Sequence, residues 1–141
     1  MAFPLTLYIP IKQDAATQAA AQAAHDHFVS SYREVLDHFG KVHFARFVLI
    51  PNPGATGILA VCVITSFDGA MNPYLQDFWN DESLKNVFAG LAAMALADTP
   101  VANFTQFENF INSHNLSGMS DLYGAYDQTV KQIKAKFQPS A

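Results

Sequence analysis

The chain has a single cysteine, Cys62, among 141 residues. A lone thiol has no intramolecular partner, so a disulfide framework is excluded and a reducing, cytoplasmic location is expected. Positive charge is scarce as well. Eight Lys plus Arg stand against twelve Asp plus Glu, a net charge of −4, and the cations do not cluster. A protein that tracks nucleic-acid phosphates needs a positive stripe, so nucleic acid is not an expected partner. No apolar run approaches the roughly 18 residues of a membrane span, which argues against a membrane partner. Met1-Ala2-Phe3-Pro4-Leu5 lacks the charged region of a signal peptide, and Pro4 and Pro10 interrupt the apolar stretch. Without such a signal, the sequons at Asn103 and Asn115 read as chance. There is no internal repeat, no low-complexity tract, no Gly-rich phosphate loop and no Gly-x-Ser-x-Gly elbow.

What is present is apolar. Half of the residues are hydrophobic and 14% are charged, which excludes a disordered tail or a fibrous repeat. The length suits one domain over residues 1–141 with one core, and only 138–141 reads as a loose tail. Leu5, Leu7, Ile9 and Ile11 alternate with more polar residues, the period of a strand. Gln13 to Phe39 follows as a long helix, with Asp14 as N-cap, Gly40 as C-cap and a stripe of Ala21, Ala24, Phe28, Tyr32, Val35 and Phe39. Val42–Ile50 and Gly57–Phe67 flank a Pro/Gly turn as a hairpin. A short helix opens at Asn72-Pro73 and runs to Trp79. A second is capped by Asp81, with Leu84, Val87, Phe88, Leu91 and Ala95 on its stripe. Thr105 and Glu108 have capping-box spacing for a helix over Phe107–His114. Met119–Tyr126 reads as a fourth strand, and Asp127 as the cap of a last helix carrying Val130, Ile133 and Phe137.

This order gives an α+β fold of the ferredoxin-like, split βαβ kind. The expected sheet is four-stranded and antiparallel, in the order 4-1-3-2, with extra helices inserted before the last strand. Placing the turn at Pro51–Thr56 puts His43, Ala45 and Phe47 on a face with Ile64, Cys62 and Ala60. Phe44, Arg46 and Val48 then share the other face with Val63, Val61 and Leu59. Both faces are apolar, whereas a sheet with one wet face alternates apolar and polar residues. Helices cover one side. A second copy of the sheet is the economical cover for the other, so a C2 homodimer is expected.

The local sequence resembles the dimeric α+β barrel superfamily. Val42-His43-Phe44-Ala45-Arg46-Phe47-Val48-Leu49, then Ile64-Thr65-Ser66-Phe67-Asp68-Gly69 and Tyr74, is similar to uncharacterised bacterial members in which an "HFAR" strand pairs with one ending "FDG". The resemblance spans residues 4–80, with a looser match over Tyr123–Ile133. Relatives include antibiotic-biosynthesis-type monooxygenases, stress-responsive small barrels, chlorite dismutases and dye-decolourising peroxidases. The resemblance speaks to fold more than to activity. Asp68-Gly69 also resembles the Gly-x-x-Asp-Gly motif of the peroxidases, but Thr65 stands where that motif has its first Gly.

Three residues are the candidate ligand contacts. Arg46, read as buried mid-strand, needs an acidic partner: an interface ion pair or the carboxylate of a ligand. His43 lies at the same end of the sheet as Ser66 and Asp68. It could act as a general base or haem ligand, or be a hydrogen-bonded strand-end histidine. Asp68 either contacts a ligand or caps the turn into the next helix. His25 and His27, two apart on a helix, point away from each other and cannot share an ion. Glu34 and His38 could meet, but two ligands do not make a site, so no metal is expected. Cys62 reads as a buried, inert thiol. Phe104, Phe107 and Phe110 read as core, with a pocket wall as the alternative. The leading expectation is a dimeric protein without a cofactor or an evident catalytic set. It would bind a small apolar or aromatic anion through Arg46, with His43 and Asp68 as secondary contacts. A cofactor-free monooxygenase or isomerase is the alternative, and a haem-binding, peroxidase-like protein the third.

Overall fold

The computed structural model describes residues 2–54, 56–97, 99–117 and 121–137. Its elements are β1 (Ala2–Pro10), α1 (Ala15–Phe39), β2 (Val42–Pro51), β3 (Ile58–Asp68), α2 (Met71–Asn80), α3 (Glu82–Met94), α4 (Phe104–His114) and α5 (Val130–Phe137). The fold class is α+β. The strands form one antiparallel sheet in the order β1-β3-β2.

Capping explains most of the helix boundaries. Asp14 accepts the Thr17 N–H at 2.9 Å to start α1, and Gly40, at φ 63°, ends it in the left-handed conformation that a side chain would oppose. Asp81 caps α3 through Leu84 N–H. Other caps differ from expectation. Asn103, two residues before the expected Thr105, caps α4 through Gln106 N–H. Thr129 and Gln132, not Asp127, form a reciprocal capping box at the start of α5. Pro73 sits in the third position of α2, not the first.

The core lies on one side of the sheet. Leu5, Leu7, Ile9, Phe47, Val61, Val63 and Phe67 pack against Leu75, Phe78, Leu84, Phe88, Leu91, Phe107, Phe110 and Ile111 from α2, α3 and α4. The inserted helices therefore extend the helical layer. Phe107 and Phe110 are fully buried there.

The hairpin register differs from the sequence reading. Asn52 N–H closes the loop on Gly57 O at 3.0 Å, and Pro51 pairs with Ile58. Gly57, at φ 97°, belongs to the turn. Arg46 consequently pairs with Ile64, Val48 with Cys62, Ala45 with Thr65 and Phe47 with Val63. The offset is an odd number of residues, so every face assignment between the two strands is exchanged. Arg46 shares its face with Ile64 and Cys62, not with Val61 and Val63.

The expected fourth strand is corrected too. Residues 118–120 lie outside the described set, and Asp121–Tyr126 form no strand. Only Asn115 bridges to β1, opposite Leu7. Thr6 donates its N–H to Asn115 Oδ1 at 3.1 Å and accepts Leu116 N–H at 2.8 Å. At the other end Leu96 N–H donates to Pro10 O at 2.9 Å, and Lys12 N–H to Met94 O. Alternate residues of a strand share an edge, so Pro4 and Pro10 face outward with Thr6 and have no N–H to offer there. Two missing donors in nine residues leave too few rungs for a continuous neighbour. The expected tail, 138–141, lies outside the described residues.

Candidate functional site

Among the described residues, no helix lies on the second face of the sheet. Phe44, Arg46, Val48 and Ile50 from β2, Cys62, Ile64 and Ser66 from β3, and Pro4, Thr6 and Tyr8 from β1 take no part in the core cluster. Phe44 is 81% exposed and Ile64 38%. Beyond α4, Leu116, Asp121 and Leu122 line this face as part of a trough of about 600 Å³. Arg46 is its only cation among the described residues. It is exposed, not buried as expected, because the register sets it on the open side. No ion pair joins it to a carboxylate among the described residues.

His43 and Asp68 come together, as their shared sheet end suggested. A β-bulge between Val42 and Phe44 turns His43 out of the ladder. Its Nε2 lies 2.7 Å from Asp68 Oδ1, with both side chains largely buried. The other Asp68 oxygen accepts Val130 N–H at 2.7 Å. Asp68 therefore does serve a helix start, but that of α5 and not of α2, whose N-terminus carries no side-chain cap. His43 lines a groove of about 470 Å³ between α1 and β2, with Tyr32, Arg33, Asp37 and Phe44. Arg46 lines the open-face trough instead. The three candidate contacts thus form a pair and a single residue, not one set.

On the helix side a void of about 40 Å³ is walled by Phe28, Phe47, Phe78 and Phe88, not by Phe104, Phe107 and Phe110. Tyr74 stacks on Phe67 with ring centroids 3.9 Å apart and donates to Thr65 Oγ1 at 3.3 Å. Burial pushes its hydroxyl well above the usual tyrosine range. Burial likewise pushes the Cys62 thiol up. His25 bonds its neighbour Asp26, and His27 meets the Tyr32 ring edge-on. Among the described residues no group of three His, Cys, Asp or Glu could hold a metal ion, and no helix is long and apolar enough to cross a membrane.

Arg33 is a site residue that the sequence reading passed over. It lies on the polar side of α1, and only the fold brings it to the His43 groove. Comparison of the chain with protein-family models, curated proteins and solved structures finds no match.

Proposed function

We propose that this chain is a cytoplasmic protein of the ferredoxin-like, dimeric α+β barrel type. It pairs its open sheet face with that of a second copy and holds a small apolar or aromatic anion there, beside Arg46. The observation that carries this reading is the open-face trough. One guanidinium stands among Pro4, Phe44, Ile64, Leu116 and Leu122. A guanidinium beside apolar walls is what a flat organic anion needs, with Asp121 the carboxylate that shares the trough: the walls take the ring, and the guanidinium takes the ligand carboxylate through two parallel hydrogen bonds. A second copy would cover the ligand and the exposed rings together. Burying a side chain the size of Phe44 or Ile64 stabilises by roughly 1.5–3 kcal/mol.

Native mass spectrometry with added 1-naphthoate tests both halves. A dimer carrying naphthoate supports the reading, with Phe44→Asp giving monomers and Arg46→Ala a dimer without ligand. A monomer at micromolar concentration overturns the pairing. A dimer whose naphthoate binding is indifferent to Arg46→Ala overturns the ligand site.

A further inference from the structure

The His43–Asp68 pair is built to hold one nitrogen lone pair toward solvent. A carboxylate only accepts, so the 2.7 Å contact places the imidazole proton on Nε2 and leaves the lone pair on Nδ1. The Asp68 carboxylate is itself held in position by Val130 N–H. Nδ1 has no hydrogen-bond partner among the described residues, and no buried side-chain nitrogen or oxygen there lacks one, so Nδ1 reaches solvent.

The groove that His43 lines is also charged. Asp37 is paired with Lys134 of α5 at 3.2 Å. Arg33 makes no ion pair among the described residues. Charged and titratable groups face His43 from two elements: Asp68 from β3, and Tyr32, Arg33 and Asp37 from α1. No serine, threonine or cysteine lines the groove among the described residues. A base and a cation that line one groove are equipped to move a proton within an anionic substrate.

We propose that His43 is a general base in the α1–β2 groove, positioned by Asp68, and that it tautomerises a small 2-oxo acid whose carboxylate Arg33 binds. In the step, the C–H bond beside the ketone breaks and its proton forms the Nδ1–H bond. The electron pair becomes the new carbon–carbon double bond, and the ketone oxygen takes the charge as an enolate. The imidazolium, balanced by Asp68, then returns the proton to that oxygen. His43 ends neutral, the product is the enol, and no oxidant or cofactor is consumed. This proposal depends on neither Arg46 nor the dimer, and its groove shares only Phe44 and Ala45 with the trough.

The test is deuterium uptake at C3 of phenylpyruvate, followed by NMR with the full chain in weakly buffered D2O. General-base assistance predicts uptake roughly 100-fold or more above buffer. His43→Gln abolishes the excess, and added imidazole restores it in His43→Ala. Asp68→Asn keeps an oxygen for Val130 N–H but puts an amide against Nε2, turning the tautomer over. Its kcat falls with KM unchanged, whereas Arg33→Ala, on the exposed helix surface, raises KM. Uptake at the buffer rate by the wild type, or excess uptake surviving in folded His43→Gln, overturns the proposal. If His43→Gln does not fold, an unchanged KM in Arg33→Ala does so.

Discussion

Asp68 and Val130 are 62 positions apart in sequence, and the carboxylate of one accepts the backbone N–H of the other at 2.7 Å. That bond, with the Asp37–Lys134 pair, ties the last described helix to the sheet end and to α1. Asp68→Ala removes the helix-start acceptor and leaves the His43 N–H without its partner. The expected cost is roughly 2 kcal/mol. Urea denaturation reads it, and hydrogen exchange should show protection lost first in Val130–Phe137. Unchanged protection there would mean that α5 is held by something else.

Gln18 does for the hairpin what Asp68 does for α5. Its Oε1 accepts Ile58 N–H at 2.6 Å, and its Nε2 donates to the carbonyls of Lys12 and Ile58. Gln18→Ala leaves the part-buried Ile58 N–H unpaired, while Ile58 O keeps Gln13 Nε2 at 2.9 Å, and should cost about 1–3 kcal/mol in thermal or urea unfolding.

Gly57 should tolerate no side chain. At φ 97° a Cβ there would lie 3.0 Å from Gln18 Oε1 and 3.2 Å from Asn52 Nδ2. Gly57→Ala is expected to destabilise by about 1–3 kcal/mol, and less in a Gln18→Ala background, because one clash partner is then gone. Additive effects in that double-mutant cycle would contradict the geometry.

Alkaline unfolding should report Tyr74. Its hydroxyl titrates above the ordinary value of 10.0 because burial disfavours the phenolate. The unfolded chain therefore ionises first. The stabilisation is complete below about pH 10 and disappears as pH rises through the folded-state value. Tyr74→Phe should flatten the stability curve above pH 10 while losing about 0.5–1.5 kcal/mol at neutral pH, the worth of the Thr65 bond. An equally steep alkaline fall in Tyr74→Phe would place its cause elsewhere.

Cys62 offers a probe of the open face. It is 8% exposed, between Tyr8 and Val48 in the sheet, and burial raises its thiol. Modification by a bulky disulfide reagent should be slow in the folded chain and fast in urea. If the faces pair, Phe44→Asp should speed it at native conditions.

The apolar periods made most elements legible. Leu5 to Ile11 and the stripe from Ala21 to Phe39 mark β1 and α1 without reference to any distant residue. The hairpin register was not legible in the same way, because it hangs on one bond from Asn52 to Gly57, and an odd offset there moved Arg46 into the open. His43 and Asp68 could be placed at one end of the sheet from strand directions alone. Their contact needed the bulge, and Arg33 needed the docking of α1. Two local signals were available and outcompeted: Thr129-x-x-Gln132 as a capping box, and the matched parity of Pro4 and Pro10. Leu122, Tyr123 and Tyr126 have strand-forming side chains, but propensity gives a strand nothing to pair with.

The paired prolines of β1 have a bearing on assembly. A sheet with two open rims can recruit strands indefinitely, and such growth ends in fibres. Here the β1 rim lacks two of its backbone donors and already engages Asn115, Leu116 and Leu96, so stacking of copies rim to rim would fall to β2 and, by that contact alone, would stop after two.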